Sequence, residues 1–188
     1  MSFQKGKLYK VEKLNSTHSH WKDVEKALNR NKKYNISSYQ LEELYSVTWF
    51  RKPFPWSWTK EFKPNRRFFF HGTSRQSIQS ILDSGFQTSY TKHGKMLGDG
   101  VYITHHSNKG RNYAPEDYIV STMVYAPNTF VVQPNQTLNL NQINTLSKQY
   151  DAIEVRTNAI VGNWTMKNHE ICVYNPQRVI PRFIIKLK

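Results

Sequence analysis

One cysteine, Cys172, stands in a chain of 188 residues. That excludes an internal disulfide and any cysteine-based metal cluster, and a reducing compartment is the default reading. Purely apolar stretches run to only a few residues, which excludes a transmembrane helix and gives no reason to expect a membrane partner. The opening residues, Met1-Ser2-Phe3-Gln4-Lys5-Gly6-Lys7, carry no apolar signal-peptide core, so an intracellular location (cytoplasmic or nuclear) is expected. Internal repeats and low-complexity tracts are also missing. Acidic side chains are scarce: 13 Asp and Glu stand against 27 Lys and Arg, for a net charge of +14. Residues 1–67 hold fifteen basic and six acidic side chains, the remainder twelve and seven. Such an excess suits an anionic partner, whether a nucleic-acid backbone, an anionic membrane surface or an acidic nucleotide substrate. The plainer reading is a basic surface that only keeps the protein in solution.

What is present is a chain of single-domain size, 22.2 kDa and 14% aromatic, which can bury a core without staples. Trp21, Val24, Ala27 and Leu28 lie at helical spacing. Leu41, Leu44, Tyr45 and Thr48 do so again, after a Ser37-x-x-Gln40 pair with capping-box spacing, and predict a second helix. Two prolines in Arg51-Lys52-Pro53-Phe54-Pro55-Trp56-Ser57-Trp58 forbid regular structure and mark a boundary or docking loop. Beyond it the pattern changes. Arg67–His71 reads as a strand, and Thr73-x-x-Gln76 as the start of a short helix that Gly85 closes. Val101–Thr104 and six later β-branched runs read as strands, the last, Val179–Leu187, carrying a proline that argues for an edge or a bulge. The expected class is α+β, a mixed and largely antiparallel β core. Residues 1–67 are expected as a basic, mostly helical N-terminal segment, and residues 68–188 as the core.

Three elements point to chemistry. His71-Gly72-Thr73 closes a strand, so an imidazole sits beside bare backbone. Gly98-x-Gly100-Val101-Tyr102 precedes a strand instead of following one, which excludes a Rossmann phosphate loop. Tyr113, eleven residues on, can form a ring sandwich with Tyr102. Glu170 opens the apolar run Ile171-Cys172-Val173-Tyr174, where a carboxylate can hold sugar hydroxyls and stabilise positive charge at a sugar carbon. Each element taken alone also has an ordinary structural reading.

In this order and spacing the three resemble the catalytic domain of the poly(ADP-ribose) polymerase family, whose signature is a His, a Tyr and a Glu on separate strands. Ser107-Asn108-Lys109-Gly110-Arg111-Asn112-Tyr113 resembles the family's Ser-Lys-Ser-x-Asn-Tyr run at the same offset from Tyr102. The resemblance runs from about Phe69 to Lys188 and is weaker around Val11–Asn15 and Trp21. It implies an ADP-ribosyltransferase-like fold and an enzyme that cleaves NAD, a substrate here, releases nicotinamide and passes ADP-ribose, singly or as a polymer, to a protein or nucleic-acid acceptor. It further implies that His71 bonds a ribose hydroxyl and that Gly72 and Thr73 hold the nicotinamide end. Tyr102 and Tyr113 would flank the nicotinamide ring, Lys109 would sit on the acceptor side, and Glu170 would bind the ribose 2′-hydroxyl and orient or deprotonate the acceptor. No metal is implied. Gly110 replaces the serine of the family run, whose hydroxyl bonds the carboxamide. The short basic loop Gln87–Lys95 and the Asn/Gln-rich segment Gln133–Tyr150 also depart from the family. The first 67 residues leave no room for an autoinhibitory helical domain. A non-catalytic module that binds NAD, ADP-ribose or nucleic acid on the same fold is the alternative, and an intact His–Tyr–Glu set favours catalysis.

Overall fold

A strand that is buried on both faces loses its alternation, and residues 41–49 show the consequence. The computed structural model describes residues 9–30, 39–50, 68–88 and 95–188. In it the predicted second helix is a strand, β2 (Leu41–Trp49), paired antiparallel with β1 (Tyr9–Leu14) on one side and with β12 (Val179–Leu187) on the other. Leu41 and Leu44 pack on one face, and Tyr45 and Val47 on the other. With both faces apolar, the spacing of Leu41, Leu44, Tyr45 and Thr48 imitated a helical stripe. Ser37 lies outside the described residues. The described part of residues 1–67 therefore holds two strands and one helix, α1 (Ser19–Arg30), and its strands share a sheet with later ones.

That sheet runs β1-β2-β12-β5-β3, with β5 at Tyr118–Val124 and β3 at Phe69–Gly72, and all its pairs are antiparallel. A second sheet runs β4-β11-β8-β6: Val101–Ile103, Glu170–Val173, Ala152–Val155 and Thr129–Val132. Its last pair, β8 with β6, is parallel. A small third sheet joins β7 (Thr137–Leu138), β9 (Ile160–Val161) and β10 (Trp164–Thr165). This is the α+β architecture expected.

Pro181 lies in β12, which is central. β2 pairs with it only from Phe183 onward, and the register on β5 shifts between Pro181 and Phe183. The missing amide hydrogen thus falls beside a bulge, where no backbone partner on β2 wants it, and the Pro181 carbonyl takes the Trp49 indole N–H at 3.0 Å.

Three packed layers follow. Helix α1 lays Val24, Ala27 and Leu28 on one face of the five-stranded sheet, against Phe183, Ile185 and Leu187. Helix α2 (Arg75–Ser84) packs Ile78, Ile81 and Leu82 into the core that both large sheets share, with Val101, Ile171 and Ile184. Helix α4 (Leu140–Gln149) buries Ile143 on the far face of the four-stranded sheet, with Ile153 and Cys172.

For α2 the N-cap is Ser74, one residue later than the Thr73-x-x-Gln76 spacing suggested: its hydroxyl accepts the Ser77 amide at 3.2 Å. Gly85 closes the helix with φ 77°, a left-handed exit that glycine takes without a steric cost. The segment Gln133–Tyr150 holds β7 and α4. Asn139 and Gln142 form a full reciprocal capping box at the head of α4.

Candidate active site

The site forms where the edges of the two large sheets meet. β3 ends the five-stranded sheet and β4 ends the four-stranded one. Edge strands expose unpaired backbone groups, and here they satisfy one another. Phe70 and Thr104 exchange both backbone hydrogen bonds, at 2.7 and 3.0 Å. One residue further along β3 the contact passes to a side chain: His71 Nδ1 lies 2.9 Å from the Tyr102 carbonyl oxygen. Alternate residues of a strand turn their backbone groups to the same side, so Tyr102 and Thr104 both face β3.

That bond fixes the imidazole's chemistry. A carbonyl only accepts, so Nδ1 carries the proton. Burial pushes the His71 pKa below its ordinary value, against the upward pull of the Tyr102 carbonyl. The ring is therefore neutral near pH 7, and Nε2 presents a lone pair. The edge of Phe86, at 5.0 Å between centroids, holds the ring in place.

Gly72 is dictated by packing. A Cβ at this position would lie 1.7 Å from the carbonyl oxygen of Gly110 in the short helix α3 (Ser107–Arg111). That helix is pinned in turn. The buried Ser107 hydroxyl donates to the Leu28 carbonyl at the end of α1, at 2.8 Å, and Arg111 Nε donates to Asp117 at 2.7 Å. So α3 rides directly on β3, and the backbone at Gly72 stays bare.

From this helix Lys109 reaches across to β11. Its Nζ lies 2.9 Å from Glu170 Oε1 and donates to the Tyr113 hydroxyl at 3.1 Å. Burial works against the ammonium charge, but the hydrogen bond and negative charge of Glu170 overcome it, and the Lys109 pKa ends above its ordinary value. Lys109 stays charged throughout the neutral range. It also sits 5.0 Å over the Tyr113 ring, whose other surroundings are open: Tyr113 is 51% exposed.

Tyr102 is placed differently from Tyr113. Its hydroxyl donates to the Gly98 carbonyl at 2.9 Å and accepts the Leu97 amide at 2.8 Å, and its ring packs beside the cluster of Leu97 and Cys172. Burial raises its pKa steeply. The phenol is an anchor for the turn at Gly98, where φ is 87°, and what Tyr102 gives His71 directly is its carbonyl. Gly100 beside it admits no side chain, since a Cβ would lie 2.4 Å from Cys172 Sγ.

His71, Gly72, Thr73, Tyr102, Lys109, Tyr113 and Glu170 all line one cavity of about 900 Å³. Every residue expected at the site from sequence is thus brought together. Phe86, Pro115 and the hydroxyls of Ser77 and Ser80 on α2 also line it, and sequence reasoning did not find them. The serines sit one turn apart on the exposed flank of a helix whose apolar face was read correctly, so a polar face at the right spacing was the available signal. Phe86 gave none, because its place follows from where the chain leaves α2. Lys32-Lys33, Arg51-Lys52, Arg66-Arg67, Trp56 and Trp58 lie outside the described residues, as does most of the basic loop after Gln87.

Comparison with known proteins points to one family. The family model described as the poly(ADP-ribose) polymerase catalytic domain matches residues 18–126, more than half of the chain, and that match covers His71, Tyr102 and Tyr113 but ends before Glu170. A poly [ADP-ribose] polymerase-like protein, 100L of Invertebrate iridescent virus 6, is 26% identical over 170 residues, covering 84% of this chain and 87% of the viral one. The poly [ADP-ribose] polymerase tankyrase of Caenorhabditis elegans is 22% identical over 171 residues, covering 69% of this chain but only 8% of that much longer protein. With two sheets meeting edge to edge around His71, Tyr102 and Glu170, and a family match across most of the first two-thirds of the sequence, the chain belongs to the poly(ADP-ribose) polymerase catalytic domain family.

Proposed function

We propose that this protein cleaves NAD at the bond between nicotinamide and ribose and transfers ADP-ribose to an acceptor, a protein in the first instance. The single observation that carries the reading is the convergence of Glu170, His71 and Lys109 from three elements on one cavity. A neutral His71 offers Nε2 as an acceptor for a ribose hydroxyl. The bare backbone of Gly72 can pair with a carboxamide, and Thr73 stands beside it. Tyr113 supplies a ring face for nicotinamide, while Tyr102 lines the same cavity and holds His71 through its carbonyl. A carboxylate at Glu170 can hold the 2′-hydroxyl of the nicotinamide ribose.

The bond that breaks joins the ribose C1′ to the nicotinamide nitrogen, and its electron pair leaves with nicotinamide. Positive charge develops at the ribose carbon, and the Glu170 carboxylate is the negative group placed to stabilise it. The acceptor's nucleophilic atom then bonds C1′, and its proton passes to Glu170. In the resting protein Lys109 neutralises Glu170, and in the reaction it can guide the acceptor. The net charge of +14 draws in a dinucleotide that carries negative charge. A nucleic-acid acceptor or scaffold for residues 1–67 rests on charge alone, and titration with short oligonucleotides at two salt concentrations tests it through the salt slope.

Incubating the full chain with NAD labelled in either half checks the main reading. Wild type is expected to release nicotinamide and to leave ADP-ribose on protein. Glu170→Gln keeps the shape and a hydrogen bond but loses the charge, and is expected to cost on the order of 100- to 1,000-fold in rate. A folded wild type that binds NAD and releases no nicotinamide would make this a binding module.

A further inference from the structure

Thr104 is buried, 4% exposed, just past the end of β4. Its backbone belongs to β3, since both its amide and its carbonyl pair with Phe70, the residue before His71. Its side chain belongs to β11: Oγ1 donates to the carbonyl of His169, the residue before Glu170, at 2.7 Å. The same oxygen accepts the His106 amide at 3.1 Å, and His106 is the N-cap position of α3, the helix that carries Lys109. One residue therefore touches the chain neighbours of His71 and Glu170 and the head of the helix that holds Lys109.

The strand register explains why a side chain is needed here. β4 pairs with β11 as Val101 with Val173, Tyr102 with Cys172 and Ile103 with Ile171, so the next pair in line would be Thr104 with Glu170. The ladder stops at Ile103–Ile171, and Thr104, like Tyr102, gives its backbone groups to β3. Its hydroxyl supplies the bond that carries the connection one residue further, to the start of β11. A valine would fill the same space but would leave the His169 carbonyl without that donor. Around this point the His105 ring lies tilted against Phe69 at 4.3 Å and stacks on His169 at 4.7 Å, and His169 Nε2 meets Glu154 at 3.0 Å. Stacking fills the junction, whereas the hydroxyl sets a direction and a distance.

We infer that Thr104 is a positioning residue, whose hydroxyl fixes where Glu170 stands relative to His71 across the seam between the two sheets. As a statement about catalysis this rests on the proposed NAD cleavage. A misplacement of the order of 1 Å at a reacting group can cost about 100-fold, so loss of the hydroxyl is expected to lower the rate while sparing the cavity on the β3 side.

Three variants of the full chain read it: Thr104→Ser keeps the hydroxyl, Thr104→Val keeps the volume, and Thr104→Ala differs from Ser only in the oxygen. For nicotinamide release, Val and Ala are expected to lose about 10- to 100-fold in kcat with KM within about threefold, and Ser to stay within about threefold of wild type. Should Val fail to fold, the Ser and Ala pair still isolates the oxygen. Amide exchange supplies a readout independent of activity: the 169–173 segment is expected to exchange at least about tenfold faster in Ala than in Ser, with residues 118–124 of β5 unchanged. Equal kcat in Ser and Ala overturns the inference, and so does equal exchange at 169–173. If wild type releases no nicotinamide, the proposed reaction fails, and the exchange comparison alone then decides whether Thr104 holds β11.

Discussion

Strand β12 spans nine residues between β2 and β5 and buries seven of them, whereas β4 and β11, which carry Tyr102 and Glu170, have only three and four residues. The five-stranded sheet is held by apolar area on both faces and by long, continuous ladders. The four-stranded sheet is short at its site edge, where polar contacts set its place: the His71 imidazole of β3 bonds the Tyr102 carbonyl, the Thr104 hydroxyl bonds the His169 carbonyl, and Lys109 of α3 pairs with Glu170. Stability is kept in the five-stranded sheet and function at the seam. Buried area tolerates small shifts and gives bulk stabilisation. Hydrogen bonds across a seam add little net stability each but fix relative position. A long ladder cannot be opened to admit a ligand, whereas a seam that meets at one backbone bridge leaves room for a cavity beside it.

A cut into the scaffold should cost the most stability and leave the site intact. Ile184 is fully buried at the centre of β12. Ile184→Ala is expected to cost about 2–5 kcal/mol of folding free energy through lost burial and a residual cavity. Denaturant unfolding measures it, and at a temperature where the variant remains folded its nicotinamide affinity should match wild type. A similar stability loss in Glu170→Gln would erase the distinction, because that group is expected to affect rate and not folding. Tyr113→Ala probes the rim of the seam. The ring is half exposed, so its loss should weaken nicotinamide by about 0.5–1.5 kcal/mol, read by calorimetry, with the unfolding midpoint unmoved.

The smallest expected effect is a pH dependence from His71. Burial holds its pKa below the ordinary 6.5, so the folded state takes up a proton less readily than the unfolded one. Its contribution to stability is fully present above pH 6.5 and is lost as pH falls from 6.5 through the lowered value. Protonation also removes the Nε2 lone pair offered to a ribose hydroxyl. NAD affinity is therefore expected to be flat above neutrality and to weaken, by less than about tenfold, only at pH below the ordinary 6.5. In His71→Ala that acid limb should vanish, and if it persists the titrating group lies elsewhere.

Much of the site was legible in the sequence because its chemistry is local. His-Gly-Thr after an aromatic run, Gly-x-Gly-Val-Tyr, and Glu before an apolar strand each state a residue type and a backbone context within a few positions. The helices α1 and α2 were legible for the same reason, since an amphipathic stripe repeats every three or four residues. Residues 41–49 were misread because the same residues satisfy that stripe and a strand buried on two faces. Only pairing with β1 and β12 separates the two, and β12 lies some 140 residues away in sequence. Strand β1 escaped notice because it is short and half of it is charged, with Tyr9 its only buried residue.

By itself the sequence determined the residue types at the site, their order, the single thiol, the positive charge and the helix stripes, all of which are properties of near neighbours. Tertiary structure alone decided that Gly72 must be bare because Gly110 presses against it, that Tyr102 serves through its carbonyl while its phenol anchors a turn, and that Thr104 takes over where a ladder ends. Those facts depend on which edges meet. Edge pairing is settled by the burial of two whole sheets against a shared core, a sum over distant residues that no local pattern contains.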